Sequence, residues 1–279
     1  MGEATSARRR RVGAQLRQWR LAEGLTLQEV ADRLEVSLAT ASRWETGRTK
    51  VSLDTYSRLA DLYRVGVDER VYFERLCRDA DEPGWWMRYA DLLSDGLRNF
   101  VELESQALRE FCYNTALVPG LVQTSDYRRA VNAAFGLDPQ KVERDADMTI
   151  ARQAILTRST PPFEGHVVIH EVALHQVFEG RPHIMRDQLR RLRELSDRPN
   201  MTVQIIPMHR SVHIGSLGAF ITLGYDGGNS TVYYEMLSSQ LMINDPEEVD
   251  VHLEAEKELI TKVALSPDES ARKLEELIG

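Results

Sequence analysis

Cysteine and aromatic residues are scarce: the 279 residues include two cysteines, Cys77 and Cys112, and only 7% are Phe, Trp or Tyr. Two thiols are too few for a disulfide framework or a four-cysteine zinc site, so a cytoplasmic protein with free thiols is expected. No run of about 18 apolar residues occurs, which excludes a spanning helix. The basic start MGEATSARRRR has no apolar stretch behind it, so a secretory signal is not expected. G-x-G-x-x-G and P-loop motifs are also missing, and with them the usual glycine-rich phosphate cradles. Positive charge is in deficit as well, with 35 Lys and Arg against 43 Asp and Glu and a formal net charge of −8. For the chain as a whole, that balance argues against nucleic acid, since phosphate binding rests on Lys and Arg.

What is present changes this picture. A 42% hydrophobic content is ample for a core, and the length suits two domains better than one. The charge is unevenly spread. Residues 1–80 carry 15 basic and 12 acidic side chains, a net of +3, whereas residues 81–279 carry 20 and 31, a net of −11. Four consecutive arginines, Arg8 to Arg11, open the first segment. A basic head on an acidic body is the asymmetry of a nucleic-acid reader.

The head has a helical pattern. Val12, Leu16 and Trp19 mark an amphipathic helix stopped by Gly24. Thr26 and Glu29 match a capping box in front of a short helix, Leu27 to Leu34. Ser37 can cap another, Leu38 to Glu45, whose inward face is Ala41 and Trp44. Ser52 starts a fourth helix, and Asp68 opens a fifth with Val71, Phe73, Leu76 and Cys77. Two short helices separated by about three residues in a five-helix bundle describe a helix-turn-helix. Its second helix would enter the major groove with Leu38, Ala39, Thr40 and Arg43 outward. Arg43 alone carries a fork suited to guanine, while Ser37, Arg48 and Lys50 are placed for the phosphate backbone.

The stretch LRQWRLAEGLTLQEVADRLEVSLATASRWETGRTKVSLDTYSRLADLY resembles the XRE (Cro/C1-type) helix-turn-helix family, most specifically at W-E-T-G-R. That family often has Gly at the position of Glu35, so Glu must adopt a left-handed conformation there, at a cost on the order of 1 kcal/mol. Leu38 and Ala39 suit thymine methyls, and with so little polar readout per half-site, binding is expected to depend on dimerisation.

Asp81-Glu82-Pro83-Gly84 breaks the chain, and the Pro83–Trp86 region reads as a linker between domain 1–80 and domain 81–279. Beyond it, Tyr89 to Phe111 reads as helical, followed by a helix behind Thr124-Ser125-Asp126 and another over about Val142 to Thr157. Strands are expected over Gly165–Val172, Met201–Pro207, Ala219–Leu223 and Ser230–Glu235. A helix from Ile184 to Ser196 and two closing helices behind Pro246 and Ser266 complete an α+β domain. The expected order is helices first, then a small, largely antiparallel sheet. LVPGLVQTSDYRRAV, IARQAIL, HEVALHQ, MRDQLRRLRELSDRPNMTVQIIP and ALSPDES occur here in the order seen in an actinobacterial family of WhiJ-like or antitoxin-like transcriptional regulators. The resemblance implies a DNA-binding regulator with a small acidic protein partner encoded nearby.

Catalytic patterns are weak by comparison. His170-Glu171 and His175 are one residue too far apart for a zincin helix, because five residues rotate the chain by about 140°. His209 and His213 are four apart but lie beside Pro207 and Gly215, a composition that reads as a loop, and Gly215-Ser216 lacks the surroundings of a nucleophile elbow. No metal and no cofactor is expected. Four polar residues in the family-like motifs stand out as candidates for a ligand or partner: Arg152, Gln153, Glu171 and Glu235. If the sheet gathers them they line a pocket, and the alternative is a buried salt-bridge cluster fixing helix to sheet. The expected protein is a cytoplasmic, dimeric regulator of double-stranded DNA with a pseudo-palindromic operator and no membrane association. A DNA-targeted enzyme and an antitoxin-like interaction protein are the alternatives.

Overall fold

Short polar residues set the boundaries of the first helices. In the computed structural model, which describes residues 7–66, 70, 74, 77, 84–159 and 161–279, these are α1 (Ala7–Ala22), α2 (Leu27–Leu34), α3 (Leu38–Glu45) and α4 (Leu53–Leu62). Thr26 and Glu29 form the expected capping box, and Ser37 and Ser52 accept the amide hydrogens of Thr40 and Thr55. Each cap satisfies an N–H that the helix itself leaves unpaired. Gly24, at φ +67°, takes the left-handed turn after α1. Glu35 does the same after α2, at φ 60° and ψ 43°, and Val36 N–H closes the turn on the Ala31 carbonyl.

The described residues divide into two compact units, one up to Arg88 together with Arg98–Leu103, the other Tyr89–Leu97 together with Glu104–Gly279. The first packs around Val12, Leu16, Val30, Ala41, Trp44 and Leu59, all buried. α1 and α3 meet at Gly13, where a Cβ would lie 2.5 Å from the carbonyl oxygens of both Trp44 and Glu45. Only a residue without a side chain permits that approach. Most of the fifth helix expected from Asp68, including Val71, Phe73 and Leu76, lies outside the described residues, as do Asp81, Glu82 and Pro83 of the expected break. Cys77 is buried in the head's core. Trp85 and Trp86 lie in a 3-10 turn, their rings edge to face at 6.0 Å, and Trp86 is buried.

The second unit is α+β. Its helices are α5 (Asp95–Glu104, shared with the first unit), α6 (Ser125–Ala134), α7 (Pro139–Arg152), α8 (His183–Ser196), α9 (Pro246–Glu258) and α10 (Pro267–Ile278). Its strands are β1 (Arg109–Asn114), β2 (Glu164–His170), β3 (Met201–Ile206), β4 (Phe220–Gly224), β5 (Ser230–Glu235) and β6 (Gln240–Ile243). They form one mixed sheet in the order β3-β2-β1-β4-β5-β6. β1–β2 and β2–β3 pair in parallel, and the other three pairings are antiparallel.

Three expectations from the sequence are overturned. The stretch Tyr89 to Phe111 is not helical to its end, because Arg109–Asn114 is the inner strand β1, paired on both edges. The apolar spacing of Phe100, Leu103, Leu108 and Phe111 imitates a helix although Phe111 belongs to a strand whose interior residues are all buried. Helices therefore do not all precede the sheet, since β1 comes before α6 and α7. The strand expected to run to Val172 ends at His170, and Glu171–His175 turns as a 3-10 helix.

Alternation along β1 sends Phe111 and Tyr113 to one face and Glu110 and Cys112 to the other. The first face packs with Val168, Phe220 and Val232 against Val249, Leu259 and Val263. The edge strand β3 is covered too: Ile205 N–H donates to Ser270 Oγ on α10, and Leu265 N–H donates to the Ile205 carbonyl. This leaves less open strand edge for pairing with another chain.

The contact at Gly13 generates a prediction. Gly13→Ala forces the α1–α3 backbones apart and should destabilise the head by about 1–3 kcal/mol, as overpacking does. Thermal unfolding of the full chain followed by circular dichroism checks this, and an unchanged transition would refute the close approach.

Candidate nucleic-acid interface

α3 is held on its inner side by apolar packing and on its C-terminal turn by charge. Ala41 and Trp44 are 1% and 7% exposed, which turns the opposite face outward. Arg20 Nε donates to Glu45 Oε1 at 2.6 Å and Nη2 to Oε2 at 3.0 Å, with both side chains about 10% exposed. The remaining arm, Nη1, donates to the Leu25 carbonyl at 2.7 Å, so one guanidinium ties α1, the α1–α2 loop and α3 together. Glu45 holds the Arg20 guanidinium above its ordinary value against the opposing effect of burial.

The outward face carries the residues expected there. Leu38 is 46% exposed, Ala39 and Arg43 are exposed, and Thr40 is half-buried. Arg43 has no ion-pair partner among the described residues. Ser37 Oγ, besides capping α3, shares a 2.8 Å hydrogen bond with Thr40 Oγ1, which orients that hydroxyl at the start of the helix. Arg48 and Lys50 are exposed in the loop behind α3. That loop is shaped by Gly47 at φ +68° and by the Thr49 N–H donating to the Arg43 carbonyl. The whole set lies on one short helix and its flanks, a row of apolar side chain, hydroxyl and cation, the group types that read base edges and phosphates in general.

The four candidates of the second unit do not form one group. Arg152, at the end of α7, forks onto Glu104, with Nε–Oε2 at 2.8 Å and Nη2–Oε1 at 2.6 Å, in a bridge that is almost fully buried. Burial alone would disfavour that charge, but Glu104, then Glu110 and Glu235, outweigh it and raise the guanidinium above its ordinary value. Glu110 on β1 is buried beside them. Desolvation first, then the Glu104 charge, push its carboxyl well above its ordinary value. Its Oε2 has no hydrogen-bond partner among the described residues. Gln153 braces the neighbouring turn by donating to the Gln123 carbonyl at 2.7 Å. Glu235 is exposed and acts on Arg152 through charge.

Glu171 belongs elsewhere. Its carboxylate takes Lys273 Nζ at 2.9 Å and the Met208 N–H at 3.0 Å, with His175 Nε2 at 3.5 Å. Burial opposes its charge, but these donors outweigh it and hold the carboxyl below its ordinary value. Glu104, Glu110 and Lys273 were not singled out from the sequence. The one available signal was an acid in an apolar setting, at Phe100-Val-Glu-Leu-Glu and Arg109-Glu-Phe.

Comparison with known proteins places the two units separately. A family model described as "Domain of unknown function (DUF5753)" matches residues 97–276, and one described as "Helix-turn-helix domain" matches residues 11–73. No curated protein and no solved structure matches the chain.

The buried carboxyls yield a pH prediction. Glu110 has an ordinary value of 4.5 and a folded value well above it. Its contribution is therefore favourable at low pH and is lost as pH rises above 4.5 toward the folded value. Glu110→Gln keeps an N–H to offer Glu104 and removes this loss. Its melting temperature should equal or exceed that of the parent at pH 8, with the advantage shrinking at pH 5. A variant less stable at pH 8 would show that Glu110 is ionised in the fold.

Proposed function

The chain belongs to the DUF5753 family and joins that domain to a helix-turn-helix DNA-binding domain, and we propose that it is a sequence-specific transcriptional regulator working as a homodimer. The observation that carries this reading is the division of α3 into a buried face, Ala41 and Trp44, and an exposed face bearing Leu38, Ala39 and Arg43. On this reading α3 lies in the major groove, Arg43 makes the bidentate base contact, and Ser37, Thr40, Arg48 and Lys50 position the head on phosphate. Two heads would read half-sites about one helical turn, roughly 34 Å, apart on a pseudo-palindromic operator.

The second domain, on the same proposal, supplies the dimer contact and receives the regulatory input from a ligand or a small acidic protein. The ordered motifs of the WhiJ-like, antitoxin-like regulators support this assignment, and with it a cytoplasmic, actinobacterial setting. No helix among the described residues is long and apolar enough to cross a membrane. The acidic excess of residues 81–279 repels DNA, so binding should be oriented through the head and should weaken steeply with salt.

Fluorescence anisotropy on DNA from upstream of the protein's own gene tests the docking. At fixed salt Arg43→Ala should lose about 1–3 kcal/mol of affinity and relax preference at one base pair. Lys50→Ala should weaken all sequences alike and reduce the salt slope by about 1. Unchanged affinity in Arg43→Ala would remove α3 from the groove.

A further inference from the structure

We propose that the second unit holds a binding site for a small organic oxyanion, a phosphate monoester or carboxylate on a short aliphatic group, in the cleft at the carboxyl ends of β1 and β2. The cleft has a volume of about 330 Å³ and is lined by Tyr113, Thr115, His170, Arg210, Ser211 and His213 among others. Its position is the one parallel strands favour for ligands: β1 and β2 both end there, and β1 is where the sheet changes from parallel to antiparallel pairing.

Hydrogen-bond polarity identifies the ligand. The backbone N–H of Val172 donates to His170 Nδ1 at 3.3 Å, and that of Gly215 donates to His213 Nδ1 at 3.1 Å. Each Nδ1 is therefore an acceptor, and the neutral ring carries its hydrogen on Nε2. Burial, then the neighbouring His170 and Arg210, lower His213 below its ordinary value despite the opposing charge of Glu258, the same direction that the Gly215 bond to Nδ1 requires. Two imidazoles thus have an Nε2–H left to give. Arg210 spends Nε on the Val263 carbonyl and Nη2 on the Lys262 carbonyl, and it brings a permanent positive charge. Burial pushes the Tyr113 phenol up to about 12, so it also retains its hydrogen. No carboxylate lines the cleft among the described residues. A wall of donors and one cation asks for an acceptor carrying negative charge. It does not suit a metal ion, because the Nε2 lone pairs that would ligate one are occupied by hydrogen for as long as the Nδ1 bonds persist.

The cleft is held open by specific contacts. Gly215 packs against the Tyr113 ring, where a Cβ would lie 2.6 Å from Cε1, and His213 N–H donates to Ser216 Oγ to close the turn. Glu171 anchors the opposite end of the same loop through the Met208 N–H. The aliphatic requirement comes from the rim. Val172 and Val212, which also line the cleft, are 43% and 93% exposed, leaving apolar surface beside the donors for a short hydrocarbon to cover.

The site deepens the regulatory reading by naming an input class, but its binding rests on that reading in no step. Titration without DNA lets either fail alone. Isothermal calorimetry of the full chain with butyl phosphate and with butanoate should give saturable one-to-one binding for at least one, and whichever binds names the headgroup. Inorganic phosphate should bind more weakly than butyl phosphate if the phosphate arm is the positive one. His170→Asn and His213→Asn keep an acceptor at the Nδ1 position and remove the Nε2 donor. Each should weaken binding at least fivefold with an unchanged melting temperature. In the unmodified protein, histidine Nε2 nitrogen resonances should shift during the same titration, which tests the donors even if a variant fails to fold. Absence of saturable binding by both anions, unshifted Nε2 resonances, equal binding of butylammonium, or zinc binding through these two rings would each overturn the proposal.

Discussion

A guanidinium forked onto a buried carboxylate is the interaction on which both units depend. Arg20 on Glu45 secures α3 to α1, and Arg152 on Glu104 secures the end of α7 beside β1. A third fork, Arg128 on Asp145, closes α6 on α7, with Asn132 donating to the same carboxylate. Arginine suits this role because its planar donors match two carboxylate oxygens at once, which recovers part of the desolvation cost. Such pairs specify geometry more than they add stability. Removing one partner strands a buried charge, at a cost of about 3–5 kcal/mol. In the head, that geometry decides which face of α3 meets solvent, and with Gly13 it sets the depth to which α3 sinks against α1.

In the second unit, the sheet changes character at β1, and this organises everything around it. One face of β1 gives Phe111 and Tyr113 to the apolar core, while the other places Glu110 and Cys112 beside Arg152. β1 and β2 run in parallel, so their carboxyl ends open together, next to the loop that follows β3. Glu171 and Arg210 fix that loop to α10 and to the turn after α9. The acid that looked like a ligand-binding residue is better described by what it holds: the start of a loop carrying Arg210 and His213.

Much of the head was legible because its signals are local. Caps at Thr26, Ser37 and Ser52, a stop at Gly24 and the three-residue spacing of Ala41 and Trp44 each act within one helical turn, where short-range hydrogen bonding decides the outcome. The left-handed conformation of Glu35 came instead through the resemblance to the XRE family, which often has Gly at that position. The second unit was legible in its helix starts, at Thr124, Pro246 and Ser266, and in strands rich in β-branched residues. It was illegible at β1, whose residues Arg-Glu-Phe-Cys-Tyr-Asn have no alternation of polarity because both faces are buried. The partners of Arg152 and Glu171 were hidden for a related reason. Glu104 lies 48 positions from Arg152, and nothing in either local pattern refers to the other.

By itself, then, the sequence determined the boundaries of α2 and α3, the charge division near residue 80, the helix-turn-helix order and the outward face of α3. Those follow from propensity, capping and periodicity, which need only neighbouring residues. The tertiary structure alone decided that the sheet is mixed, that Arg152 pairs with Glu104 rather than Glu171, and that His170 and His213 face one cleft with their Nδ1 atoms already taken. These depend on strand order and on which distant chain segments meet. Burial then shifts groups such as Glu110 away from their ordinary values, which no local pattern encodes.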